Sequence, residues 1–124
     1  MSEHTATPPG WPEEVPPPAA PEFRERAVLW LLDQAPPEFR SHLVFRRHPA
    51  ALAFAVSCYV DGALEASRRA YSGARRTLAG ELDPAGVDEV LRALEFEGVR
   101  LRILQRELEL VTEALAGRRW AKKL

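Results

Sequence analysis

The sequence predicts an all-α protein whose centre is a long antiparallel two-helix hairpin, formed by residues 49–81 and 84–116. Apolar residues recur at intervals of three and four through both segments, which is the spacing of one face of a helix. No proline interrupts either segment after its first position. Asp83 and Pro84 supply a capping carboxylate and a first-turn proline, so the second segment begins a new helix after a linker of about two or three residues.

A proline-rich acidic arm, residues 1–21, precedes a helical domain, residues 22–117, and a basic tail, residues 118–124, follows it. Seven of the 11 prolines lie in the arm. Because proline lacks an amide donor and fixes its own backbone, we expect the arm to be extended or disordered. Between Pro8 and Pro21, Trp11 and Val15 are the only sizeable apolar side chains. Two alternatives follow: these side chains dock on the helices, or the arm stays free.

Two shorter helices are predicted between the arm and the hairpin. The first has Pro21 in its first turn and ends near Gln34, because apolar residues at helical spacing fill that interval. The second runs over residues 37–47, and Pro49 then begins the hairpin. Both are expected to pack on the hairpin.

The two long helices are expected to face each other along a heptad seam. Its residues are mostly small in the first long helix and larger in the second. If the turn lies near residue 82, facing residues have numbers that sum to about 165. The expected pairs are Leu78 with Val87, Ala74 with Leu91, Tyr71 with Leu94, Ser67 with Gly98, Leu64 with Leu101 and Val60 with Gln105.

Small residues meet at the middle of this register. Ser67 and Gly98 are expected to let the helix axes approach closely, and Tyr71 and Leu94 to fill the space beside them. The same register brings charged residues together across the hairpin: Arg68 near Glu97, and Arg69 near Glu95.

A second apolar stripe follows the fourth predicted helix, residues 84–116, about a quarter turn from the seam. It consists of Phe96, Val99, Ile103 and Leu110. A two-helix hairpin cannot bury two stripes of one helix, and the first helix, about 14 residues long, covers at most half of the longer one. We therefore take these four residues as a candidate self-association surface and expect a homodimer.

Two basic clusters are candidate contacts for an anionic partner, because rows of cations can bind phosphate. Two pairs of arginines, seven residues apart, form an arginine face on the third helix. As an alternative to binding an anionic partner, these arginines can form ion pairs with Glu89, Glu95 and Glu97 across the hairpin. The basic tail can instead be a solvated helix end, or meet Glu13 and Glu14 of the arm. The candidate contacts are Arg68, Arg69, Arg75, Arg76, Arg118, Arg119, Lys122 and Lys123.

Composition limits the functional classes. The formal net charge is −1, so a strongly basic nucleic-acid-binding body is excluded. No uncharged apolar run reaches the roughly 18 residues that a membrane-spanning helix needs. The first ten residues lack the basic and apolar regions of a secretory signal. We expect a cytoplasmic protein that does not span a membrane.

The sequence contains no motif of a catalytic, cofactor or metal site, and we predict that the protein is not an enzyme and needs no cofactor. Glu38 and His42 share one helix face, but the Glu-x-x-His spacing of carboxylate-bridged metal bundles is absent. We interpret them as surface residues. Cys58 has apolar neighbours and no nearby base, which predicts a buried, unreactive thiol.

Several stretches after residue 20 together resemble a group of small helical proteins of Streptomyces-type actinobacteria. They are residues 27–33 (AVLWLLD), 36–40 (PPEFR), 46–49 (RRHP), 97–101 (EGVRL) and 117–119 (GRR). The resemblance implies a cytoplasmic bacterial setting. It implies no activity and no functional residue.

We expect from these features a non-enzymatic helical interaction or scaffold module that self-associates through the long hairpin. The alternative is an accessory nucleic-acid-binding protein that uses the basic tail and the arginine face. The first is favoured because the fourth helix carries more apolar surface than the hairpin can cover. Few aromatic residues lie among the arginines to stack on bases.

Overall fold

The computed structural model describes residues 7–118 and Trp120. The protein is all-α, as predicted: the two long helices pack against each other, and shorter N-terminal helices accompany them. Within the described residues there is no β-strand. The helices are α1, Phe23–Gln34; a 3-10 helix, Pro37–Ser41; α2, Leu43–Arg47; α3, Pro49–Leu78; and α4, Pro84–Leu115.

The two ends of α4 follow the predicted signals, whereas the end of α3 does not. The Asp83 carboxylate accepts a hydrogen bond from the Gly86 amide at 2.7 Å, which caps the start of α4. Gly117, with φ of 88°, ends α4 in the left-handed conformation that glycine adopts without strain. α3 ends at Leu78 and not at residue 81, so the linker is longer than predicted and spans residues 79–83.

The predicted second helix is divided in two. The 3-10 helix ends at Ser41, whose hydroxyl donates to the Glu38 carbonyl oxygen at 2.8 Å. His42 then has an extended backbone before α2 begins. The side-chain bond of Ser41 to the backbone competes with helix continuation, which accounts for the division.

The chain divides into two compact units, with both boundaries inside the long helices. The first unit comprises the described residues up to Tyr59 and from Arg106 onward, and the second comprises Val60–Gln105. The first unit has the larger apolar core. Its buried residues are Val15, Phe23, Ala27, Val28, Trp30, Leu31, Leu32, Leu52, Ala53, Val56, Leu108, Leu110, Val111 and Ala114.

The described part of the arm, residues 7–21, packs within the first unit. It forms a series of hydrogen-bonded turns, such as the Trp11 amide donating to Pro8 oxygen, in place of one extended stretch. The Trp11 indole donates to the Val15 carbonyl oxygen at 2.8 Å, and Val15 is only 3% exposed. Of the two alternatives for Trp11 and Val15, the structure shows docking.

Gly10 brings the arm onto α4. Its φ of +92° and the preceding Pro9 match a type II turn, which requires a residue with positive φ at this position. A Cβ atom at Gly10 would lie 3.3 Å from Arg106 Cγ and 3.6 Å from Leu110 Cδ1. Glycine is therefore required both by the backbone conformation and by the close approach to the helix.

In the second unit, the contacts between α3 and α4 agree with the predicted register. The Ser67 hydroxyl donates to the Leu94 carbonyl oxygen at 3.2 Å. In an α-helix that oxygen points toward the residue four positions later, so the bond places Ser67 beside Gly98. Ala74, Val87 and Leu91 form one core cluster, against which Leu78, Val90 and Leu94 pack.

Gly98 itself makes no close contact with α3, although the helices were expected to approach closely at this residue. A Cβ atom added at Gly98 would meet nothing within 4 Å, and Tyr71, expected to fill the adjacent space, is 43% exposed. Because the side chains here are small or turned outward, they leave a groove of about 470 Å³.

The predicted charge pairs across the hairpin also differ from the observed ones. The closest partner of Arg68 is Glu65 at 3.7 Å, and that of Glu97 is Arg100, each within its own helix. Residues three apart on a helix meet without bridging two helices, which accounts for this preference.

Candidate interaction surface

Three apolar residues of α4 are exposed to solvent in the second unit: Phe96 at 73%, Val99 at 46% and Ile103 at 59%. They are spaced by three and four residues, so their side chains form one line along the helix. Gly98 and Leu101 between them are buried toward α3. The exposed line, which we call the α4 stripe, therefore lies on the side of α4 away from α3.

Leu110, predicted to belong to the same surface, is buried and must be removed from it. Its exposed fraction is 6%, and its Cδ1 lies beside Gly10 of the arm. The arm covers this end of the predicted stripe. Docking of the arm on the helices was one of the two alternatives that the sequence left open. The α4 stripe thus consists of Phe96, Val99 and Ile103.

Charged residues of opposite sign border one flank of the α4 stripe. Glu95 and Arg102 are seven residues apart, so they lie above each other on the same flank. Both are exposed, and neither forms an ion pair with another residue in the described part of the chain. Their charges are therefore available to a partner.

The other flank carries an ion pair that is already formed. Arg100 Nε donates to both Glu97 oxygens at 3.1 Å, and its Nη2 forms a further short contact with Oε1. This hydrogen bonding lowers the pKa of Glu97 and raises the pKa of Arg100. Both residues remain charged near neutral pH.

The groove of about 470 Å³ in the second unit lies beside the α4 stripe. Leu64, Ser67, Tyr71 and Gly98 line it, and Glu95 and Arg102 line it as well as bordering the stripe. Its lining mixes apolar and charged side chains, but no buried, unpaired polar group points into it. We assign it no ligand.

The residues of the predicted basic clusters differ in whether they form ion pairs. Arg75 Nη1 lies 3.4 Å from Asp88 Oδ1, so one member of the arginine face pairs across the hairpin as predicted, although with a different acid. Arg69 and Arg76 form no ion pair with residues 7–118 or Trp120. Of the tail, Arg118 is described and exposed. The other tail cations, Arg119, Lys122 and Lys123, lie outside the described residues.

Cys58 is exposed, so the prediction of a buried thiol is wrong. Of its apolar neighbours in sequence, Tyr59 is itself 48% exposed, so these neighbours do not bury the thiol. The His42 ring contacts the edge of Phe45, with centroids 5.9 Å apart. Within the part of the chain that is described, no three His, Cys, Asp or Glu side chains are grouped to hold a metal ion.

Other exposed apolar side chains lie in the first unit and were not predicted. Leu43 and Val44 of α2 are 61% and 51% exposed, and Phe54 of α3 is 70% exposed. Phe39 and Phe45 stack nearby, with centroids 5.0 Å apart. The sequence carried a signal for the exposure of α2. Residues 43–45 are three successive apolar residues, which cannot all lie on one face of so short a helix.

Comparison with known proteins found no match: no protein-family model, no curated protein and no solved structure is similar to this chain. Among the described residues one helix, α3, is long and apolar enough to cross a membrane, with a mean hydropathy of 1.2 over its most apolar 18 residues. Because core helices of soluble proteins satisfy the same criterion, this is weak support for a membrane span.

Proposed function

We propose that the protein is a non-enzymatic helical interaction module that self-associates through the α4 stripe. The observation that carries the proposal is the exposure of Phe96, Val99 and Ile103 in one line on a rigid helix. Scattered exposed apolar residues are ordinary, but a contiguous apolar line bordered by charges is typical of an interface.

The energetics favour a reversible dimer. A large apolar side chain stabilises by about 1.5–3 kcal/mol when it is fully buried, and two copies of the stripe supply six such side chains. Association costs at least about 4 kcal/mol in lost freedom, and the contact is small. We expect a dissociation constant in the micromolar range.

A pair of matched variants tests the proposal. Phe96→Glu places a charge in the α4 stripe, whereas Phe54→Glu makes the same change at an equally exposed phenylalanine, 70% against 73%, on α3. Light scattering at tens of micromolar protein measures the mass of each. We expect the unmodified chain and Phe54→Glu to dimerise and Phe96→Glu to be monomeric, with circular dichroism showing the same helicity in all three.

Two results would contradict the proposal. A strictly monomeric unmodified chain at tens of micromolar would remove self-association. A dimer that persists in Phe96→Glu and is lost in Phe54→Glu would move the interface to the surface of α3 around Phe54.

A second candidate function, binding of nucleic acid, has one observation in its favour. Arg69 and Arg76 are seven residues apart on α3 and exposed, and form no ion pair among the described residues. Electrophoretic mobility shift at low salt tests it, with the double variant Arg69→Ala, Arg76→Ala and a chain ending at Gly117 as comparisons. Salt-sensitive binding that either change weakens would support this function, and no shift would exclude it.

A further inference from the structure

We propose that the second copy lies antiparallel on the α4 stripe, with Glu95 of each copy against Arg102 of the other. The inference rests on the proposed self-association and adds its orientation and register. It is carried by two exposed charges of opposite sign on the same flank, neither of which has an ion-pair partner among the described residues.

The heptad positions of α4 determine which flanks meet. Phe96 and Ile103 occupy one apolar position of the heptad, Val99 occupies the other, and Glu95 and Arg102 precede the first of these positions. The two-fold axis that relates antiparallel helices brings each flank onto the same flank of the second copy. Unlike charges on one flank then attract each other twice, once at each end of the contact.

The register follows from the same charges. When facing residues have numbers that sum to about 195, Phe96 packs on Val99 of the second copy, and Glu95 meets Arg102 in both directions. Moving one copy by a heptad would bring Arg102 against Arg102, and Arg100 against Arg100. The first register pairs unlike charges at Glu95 and Arg102; the next acids of this flank, Asp88 and Glu109, also face each other in it but already pair with Arg75 and Arg106. The second register places like charges opposite each other on both flanks.

A parallel pair is less favourable because of a different residue, Arg92. Arg92, exposed one turn before Phe96, continues the stripe. In a parallel pair it would face its own copy, and like charges would meet at an apolar position. In the antiparallel register it lies beside Ile103, where its methylene stem can cover apolar surface while its charge stays in water. Glu95 would face Arg100 in a parallel pair, but Arg100 already binds Glu97.

Charge reversal distinguishes these arrangements. Glu95→Arg alone and Arg102→Glu alone each replace two attractive contacts of the antiparallel dimer by two repulsive ones. We expect each to raise the dissociation constant roughly tenfold or more. The double reversal restores both attractions in the antiparallel register and should return the constant to within about threefold of the unmodified value. In a parallel pair it would leave like charges opposite Arg100 and Glu107.

Sedimentation equilibrium of the full chain measures all four constants, with Glu81→Arg, at an exposed position of the α3–α4 turn, as the control for a change in net charge. The inference is supported if each single reversal raises the dissociation constant of the dimer and the double reversal restores it. A dimer that Phe96→Glu abolishes, but whose double reversal stays weak, overturns the antiparallel register and leaves the proposed function standing. A monomeric unmodified chain overturns both.

Discussion

Side chains of α4 have opposite environments within two helical turns. Phe96 is 73% exposed, whereas Leu101 is 4% exposed. Gly98, between them, is buried by its small size and yet has free space where a side chain would extend. A residue can thus lie in the seam without being packed there.

Gly98→Ala should therefore stabilise the protein. Alanine is favoured over glycine inside a helix by about 0.5–1 kcal/mol, and the added Cβ meets no atom within 4 Å. Urea unfolding measures the change. Gly62→Ala, at a second open position in the second unit, should give the same increase. A loss of stability in Gly98→Ala alone would show that the helices approach closely there after all.

Glu107 in the first unit gives a dependence of stability on pH. Burial, and then the negative charge of Glu14, raise the pKa of Glu107 above its ordinary value of 4.5. The folded state therefore holds this proton more tightly than the unfolded chain, and folding loses stability as pH rises from about 4.5 through the raised value. Above that window the loss is complete and constant.

Glu107→Gln should accordingly raise the free energy of unfolding at pH 7, and the gain should vanish below pH 4, where the native carboxyl is protonated in both states. Glu14→Gln should give a smaller gain, because it removes only the repulsion. Thermal unfolding across this pH range measures both, with Glu81→Gln in the exposed turn as the control. A destabilised Glu107→Gln at pH 7 would contradict the assigned cause.

At the scale of elements, the arm and α4 depend on each other. The arm covers Leu110 at the C-terminal end of α4, and Val15 of the arm is itself buried. An arm rich in proline loses less backbone freedom on ordering than an ordinary segment, so a few apolar contacts hold it. The extent of the α4 stripe is in this way limited by a segment distant in sequence.

Gly10→Ala tests the docking of the arm. The substitution forces a Cβ into a backbone with φ of +92° and to within 3.3 Å of Arg106. We expect a loss of about 1–2 kcal/mol in the free energy of unfolding, measured in urea. Gly80→Ala, where the added Cβ has open space, should have little effect. Equal effects of the two substitutions would argue against a docked arm.

The sequence was sufficient for the long helices because their signals are local: heptad spacing, the Asp83 cap and the Gly117 terminator. The register of the second unit followed from the position of the turn, as the bond from Ser67 to Leu94 shows. The burial of Leu110 could not be predicted, since it depends on a long-range contact with Gly10. Exposure of Cys58 was missed because apolar neighbours in sequence do not show which helix face is covered, and the adjacent Tyr59 is itself exposed.

At the scale of the whole molecule, the exposed surface decides how the protein associates. The chain has 124 residues and a net charge of −1, so neither a large core nor a strong electrostatic field dominates its behaviour. Among the described residues, exposed apolar side chains lie on α2 and at Phe54 in the first unit, and at Phe96, Val99 and Ile103 on α4 in the second. On α4 these side chains form one line with an exposed acid and an exposed base on one flank, Glu95 and Arg102, which is why we place self-association there.

The most direct test of this central claim is sedimentation equilibrium of the unmodified full chain over a concentration series reaching tens of micromolar. We predict an apparent mass that rises from 13.9 kDa toward twice that value and then levels off, as expected for a closed two-fold contact. A mass that stays at 13.9 kDa throughout the series would contradict the account.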